Sequence, residues 1–79
     1  MKIMIETSLN FQVTRIASGR VTKYRVVEQD AIYPPIAFTN PNEAIEWMMQ
    51  RFIATDLTVS EAFVMADIVM EKQDFEYAT

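Results

Sequence analysis

The chain contains a single glycine, Gly19, and it falls between two runs that read as strands. From Leu9 to Arg15 the residues alternate, with Leu9, Phe11 and Val13 on one side and Asn10, Gln12 and Thr14 on the other. A period of two is the mark of a half-buried strand. A second run, Arg20–Glu28, follows the glycine. Ser18-Gly19 is thus the place for a hairpin turn. A two-residue loop there pairs Ala17 with Arg20. Val13 then faces Tyr24 and Phe11 faces Val26, while Thr14 faces Lys23 and Gln12 faces Arg25 on the other side. Each face comes out chemically uniform, and a slip of one residue would mix them. A third strand is expected at Ile36–Phe38, held at a sheet edge by Pro34 and Pro35. Met1, Ile3 and Ile5 begin the first strand or form one of their own.

Two helices follow. Asn40 is a good N-cap, Pro41 suits the first helical position, and Glu43 sits where a capping-box acid belongs. Ala44, Ile45, Met48, Met49 and Phe52 recur at helical spacing behind them. Thr58-Val59-Ser60-Glu61 is a second capping box and opens a helix to about Gln73. The link Ala54–Leu57 is short, so the helices should be neighbours. At 79 residues, with 51% hydrophobic and 23% charged, the chain is one small folded domain over 1–79. The expected class is α+β: a three-stranded antiparallel sheet, β-β-β, with two helices on one face and the other face wet.

Composition removes many chemistries. With no histidine and no cysteine, the usual zinc sites, disulfides and histidine-based catalytic pairs are excluded. One glycine excludes a P-loop and a GxGxxG turn. The carboxylates lack a pocket-forming loop or a convergent acid from another element, so the expectation is no enzyme, no metal and no cofactor. No apolar run is long enough to span a bilayer. Lys2 precedes no long apolar stretch, so no signal peptide is expected, and the absence of cysteine fits the cytoplasm.

Charge is uneven. Residues 1–40 carry five cations and three acids, net +2, whereas 41–79 carry two cations and eight acids, net −6. Such asymmetry fits two faces with different partners. The second helix has an inner stripe of Val59, Ala62, Phe63, Ala66, Val69 and Met70. A second apolar strip, Val64, Ile68 and Phe75, lies across from it and is either buried internally or is a seam for a protein partner or a second copy. Asp67, Glu71 and Asp74 follow at helical spacing between the strips, as a solvated edge or as an acidic stripe for a basic surface. On the first helix Trp47 falls on the polar side, near Glu43, Gln50 and Arg51. There it is a binding hot spot, or it is covered by the second helix or the tail, or it stacks on Arg51. The wet sheet face carries Gln12, Lys23 and Arg25, with Arg20 at the turn. That is the set a nucleic-acid module would use, but no exposed aromatic platform accompanies it and phosphate attraction would be weak.

The hairpin followed by Phe38-Thr39-Asn40-Pro41-Asn42-Glu43-Ala44-Ile45-Glu46-Trp47 resembles two groups over about half of the chain. One is the small phage-encoded inhibitors of host machinery, including some anti-CRISPR proteins, with a β-meander and then an acidic helix of similar opening. The other is the arm-type DNA-binding domain of phage integrases, whose third strand leads into a comparable F-x-T-x-x-E-A helix start. The second group is expected to be basic, whereas this chain has net charge −4. Resemblance to the first implies a stoichiometric protein binder without catalysis, acting in the host cytoplasm. A nucleic-acid module or a homo-oligomeric accessory protein is the alternative.

Overall fold

The computed structural model describes residues 5–77. The elements run β1 (Phe11–Ser18), β2 (Val21–Glu28), β3 (Ile36–Phe38), α1 (Pro41–Ala54), α2 (Val59–Glu71) and β4 (Asp74–Tyr77). The strands form one sheet in the order β3-β2-β1-β4, with both helices on one face. The class is α+β as expected, but the sheet is four-stranded and mixed. β4 pairs with β1 in parallel, whereas β1–β2 and β2–β3 are antiparallel. The apolar residues Met1 and Ile3 lie outside the described residues, and Ile5 to Asn10 precede the first strand without joining it.

The hairpin forms two residues out of the expected register. Val13 pairs with Val26, Phe11 with Glu28, Thr14 with Arg25 and Ser18 with Val21. The loop is therefore Gly19-Arg20, and Gly19 has φ +61°. A positive φ at the first central position only is the type II′ pattern, whose twist matches the flanking strands. A shift of two preserves side-chain parity, so Phe11, Val13, Tyr24 and Val26 still share the helix-facing side. A Cβ at Gly19 would meet no neighbour within 4 Å. Gly19→Ala is thus expected to cost about 1–2 kcal/mol through backbone strain alone. Urea denaturation checks this: a variant as stable as wild type would show that the turn does not need its positive φ.

Both helices start as their caps require. Asn40 Oδ1 accepts from the Asn42 amide at 2.8 Å, and Pro41 stands in the first turn where its missing N–H costs nothing. Thr58 and Glu61 form the full reciprocal box, at 2.9 and 3.2 Å. Between the helices Asp56 takes φ +72° and Leu57 turns into the core. The core is Phe11, Val13 and Val26 from the sheet, Ala44, Met48 and Phe52 from α1, Ala62, Ala66 and Met70 from α2, and Leu57. The alanines of α2 let α1 approach closely, and α1 and α2 are extensively packed on one another.

Two expected core residues are outside. Phe63 is 53% exposed and Val59 is exposed as well. α2 needs one side for α1 and another for the sheet, and the latter is Met65 and Val69, which pack against the core. Phe63 stands beyond the α1-facing edge of Ala62, Ala66 and Met70. Tyr24 is half-buried.

Candidate functional site

α2 stops at Glu71, capped by Lys72, whose amide bonds back to the Ile68 and Val69 carbonyls. Gln73 Nε2 donates to the Met70 carbonyl at 2.7 Å and satisfies another of the helix's last acceptors, while its buried Oε1 finds no partner among the described residues. The chain then turns and runs beside β1 as β4, with Thr14 opposite Asp74, Arg15 opposite Phe75 and Ala17 opposite Tyr77. Asp74 and Phe75 are therefore in a strand, not on the helix as their spacing implied. The four residues Asp-Phe-Glu-Tyr alternate, so Phe75 and Tyr77 stand on the helix side of the sheet and Asp74 and Glu76 on the open side.

Among the described residues β4 is the last strand of the sheet, and all four of its residues are exposed. Phe75 is 65% and Tyr77 82% exposed. The Arg15 guanidinium lies over the Phe75 ring, 5.8 Å from its centroid. A groove of about 390 Å³ between α2 and the start of β1 is lined by Met65, Ile68 and Val69 of the helix, Phe11 and Val13 of the strand, and Asp74. A smaller hollow is lined by Arg15, Ala17, Phe75, Glu76 and Tyr77. Val64 and Ile68 are exposed one helical turn apart on the same helix. Thus Val64, Ile68 and Phe75, expected as one strip of a helix, are exposed on two elements, α2 and the strand that follows it.

The acids separate. Asp67 and Glu71 are exposed on α2, but Asp74 is on the open sheet face, where Gln12 Nε2 donates to it at 2.7 Å. Gln29 donates in turn to Gln12 at 3.4 Å. Arg25 Nη2 reaches over β1 to Glu76 Oε2 at 3.2 Å. β4 thereby lays two carboxylates on the sheet face that carries Gln12, Lys23 and Arg25. Of the four residues considered for nucleic acid, Gln12 and Arg25 are engaged by those acids, and Arg20 and Lys23 make no ion pair among the described residues. The face is also less polar than expected, because Ile16 and Val21 line a shallow hollow beside Lys23.

Trp47 is half-buried instead of lying free on the polar side of α1. Its ring meets Phe11 edge-on at 5.8 Å and lies 6.4 Å from Phe38. At 100° per residue it stands roughly 100° from the centre of the Ala44, Met48 and Phe52 stripe, near enough for a long indole to fold back onto the sheet. Arg51 does not stack on it. Its guanidinium forks onto Glu28 at 2.9 and 3.2 Å and lies 5.2 Å from the centroid of the Tyr33 ring. The Glu28 hydrogen bonds raise the Arg51 pKa above its ordinary value, against the opposing effect of desolvation. This pair ties β2 to α1 and the loop after β2.

Sequence reasoning missed Tyr77 and Phe63 as exposed aromatics. The alternation of Asp74 to Tyr77 is the one signal for Tyr77, and at four residues it is too short to mark a strand. Among the described residues no group of three or more acidic, histidine or cysteine side chains gathers in a way that could hold a metal, and no helix is long and apolar enough to cross a membrane. Set against family models, curated proteins and solved structures, the chain finds no match in any of the three.

Proposed function

We propose that the chain is a small non-catalytic protein-binding module that docks through α2 and β4. The observation that carries this is the exposure of Val64, Ile68 and Phe75, with Tyr77 beside Phe75, on adjoining elements of so small a domain. Single exposed apolar residues are normal on a surface, but exposed aromatics such as Phe75 and Tyr77 are among the residue types enriched at interaction sites. Asp67 and Glu71, exposed on the same helix, would act on encounter rate and partner choice more than on affinity. A stoichiometric inhibitor of a host complex is the form of this function that the phage-inhibitor resemblance implies.

The nucleic-acid alternative is disfavoured by Asp74 and Glu76, which bring negative charge to the face that would meet phosphate.

A photo-crosslinking amino acid at position 75 or 64, in tagged protein within the source cell, tests the proposal. Discrete protein adducts that survive nuclease are expected, with none from the same probe at Arg20. Ile68→Ser with Phe75→Ser should abolish adducts formed from position 64 in a variant whose circular dichroism and melting show it to be folded. Nucleic acid as the sole adduct, formed from Arg20, would reverse the order of the two functions.

A further inference from the structure

Among the described residues no strand pairs with the outer edge of β4, and its chemistry selects what can pair with it. The Gln29 amide donates to the Asn10 carbonyl at 2.8 Å, which continues the β1–β2 ladder by one pair. Hydrogen-bonding directions alternate along a strand, so the even residues of β1 bond to β2 and the odd ones to β4. Parallel pairing of Arg15 beside Phe75 then joins β1 to the backbone of Asp74 and Glu76. The N–H and C=O groups of Phe75 and Tyr77 are left pointing away from the sheet. Their side chains are exposed on the helix side, and Asp74 and Glu76 alternate with them on the open side.

A second copy is a poor occupant. Of the two-fold registers that keep the helix faces together and pair Phe75 within Asp74–Tyr77, one sets it opposite Tyr77 and the other opposite Phe75 of the second copy. The first brings Glu76 opposite Glu76, and the second brings Asp74 opposite Glu76. Like charges directly opposite one another destabilise a strand pair, and charged edges are a common guard against self-pairing. Among the described residues Asp74 is bonded only to neutral Gln12, and the Arg25–Glu76 pair is exposed and screened. The same charges favour a strand of the opposite sign.

From this edge we infer, on the basis of the protein-binding function proposed above, that β4 accepts an extended segment of a partner protein in which apolar residues alternate with lysine or arginine. The apolar residues lie against Phe75 and Tyr77, and the basic ones face Asp74 and Glu76. Backbone bonds to Phe75 and Tyr77 supply the pairing, as in other cases of strand addition.

Amide-resolved NMR titration of the full chain tests this with three synthetic peptides: alternating lysine and valine, alternating glutamate and valine, and a shuffled peptide of the first composition. The lysine–valine peptide should shift the amides of Phe75 and Tyr77 and bind about tenfold tighter than the others at low salt. Asp74→Lys with Glu76→Lys should invert the preference between the two alternating peptides. Tyr77→Pro removes an outward N–H and no ladder bond, so it should leave the sheet intact and abolish the shifts. Equal binding of all three peptides, shifts confined to α2, or no shifts would overturn the inference. So would a wild-type dimer that Tyr77→Pro dissociates, because the occupant would then be a second copy. If the peptides fail while crosslinked partners persist in Tyr77→Pro, the edge is wrong and the binding module stands. Loss of the crosslinked partners as well would remove both.

Discussion

Phe11→Ala is expected to leave much of the chain unfolded at room temperature, the largest effect of any single truncation on the sheet face. Phe11 is buried, and its ring is the shared member of two edge-on aromatic pairs, 5.1 Å from Phe52 at 80° and 5.8 Å from Trp47 at 74°. Such pairs add about 0.5–1.5 kcal/mol beyond the area they bury. Truncating a buried phenylalanine costs about 3–5 kcal/mol, transfer and cavity together. A single core below roughly 80 residues seldom supplies more than about 3–5 kcal/mol, so the loss matches the whole stability. Phe63→Ala removes as large a side chain from a site 53% exposed and should cost less than about 1 kcal/mol. Thermal unfolding followed by circular dichroism, with both variants side by side, separates the two. A folded Phe11→Ala of unchanged midpoint would mean that the three rings do not form the centre of the core.

Arg51→Ala should cost about 2–4 kcal/mol. Removing one partner of a buried ion pair typically costs about 3–5 kcal/mol, because the other charge stays desolvated and unpaired. The Glu28 side chain is 5% exposed and that of Arg51 30%, so the figure is reduced for water that reaches the guanidinium. The variant also loses the contact with the Tyr33 ring and with it a tether on the loop after β2. The cost is one of stranding a charge, and the test follows from that. Glu28→Leu combined with Arg51→Met removes both charges and should recover at least half of the loss, as apolar replacements of buried pairs commonly do. Chemical denaturation of the single and double variants gives the coupling directly. If the double variant is less stable than either single one, the pair stabilises by more than mutual neutralisation.

Much of the architecture follows from signals that lie within a few residues of where they act. Asn40-Pro41 and Thr58 to Glu61 start helices because their side chains and φ preferences satisfy the first turn without help from elsewhere. Alternation about Gly19 decides which residues of β1 and β2 face the core. Parity has a period of two, however, so a displacement of two residues leaves both faces uniform. Only the preference of a type II′ turn for glycine at its first position separates Gly19-Arg20 from Ser18-Gly19.

The candidate site depended on the tertiary fold. Val64, Ile68 and Phe75 were legible as apolar residues of the last third of the chain, but Phe75 stands on a strand that pairs with residues about sixty positions earlier. Four alternating residues are too short a segment to declare a strand, and a parallel pairing has no local turn to announce it. Helical spacing carried Asp67 and Glu71 on to Asp74, yet the helix ends before Asp74 and the acid lies on the opposite face of the sheet. Trp47 and Phe63 exchanged environments for a related reason. A helical wheel ranks residues around one axis, whereas each helix here packs against both its neighbour and the sheet, and the angle between those two contacts is set by the assembled layers. Local chemistry thus determined where the chain turns, where its helices begin and which strand faces are apolar. Tertiary packing alone decided which apolar residues and which strand edge were left uncovered by the described residues, because both depend on what the rest of the fold has already covered.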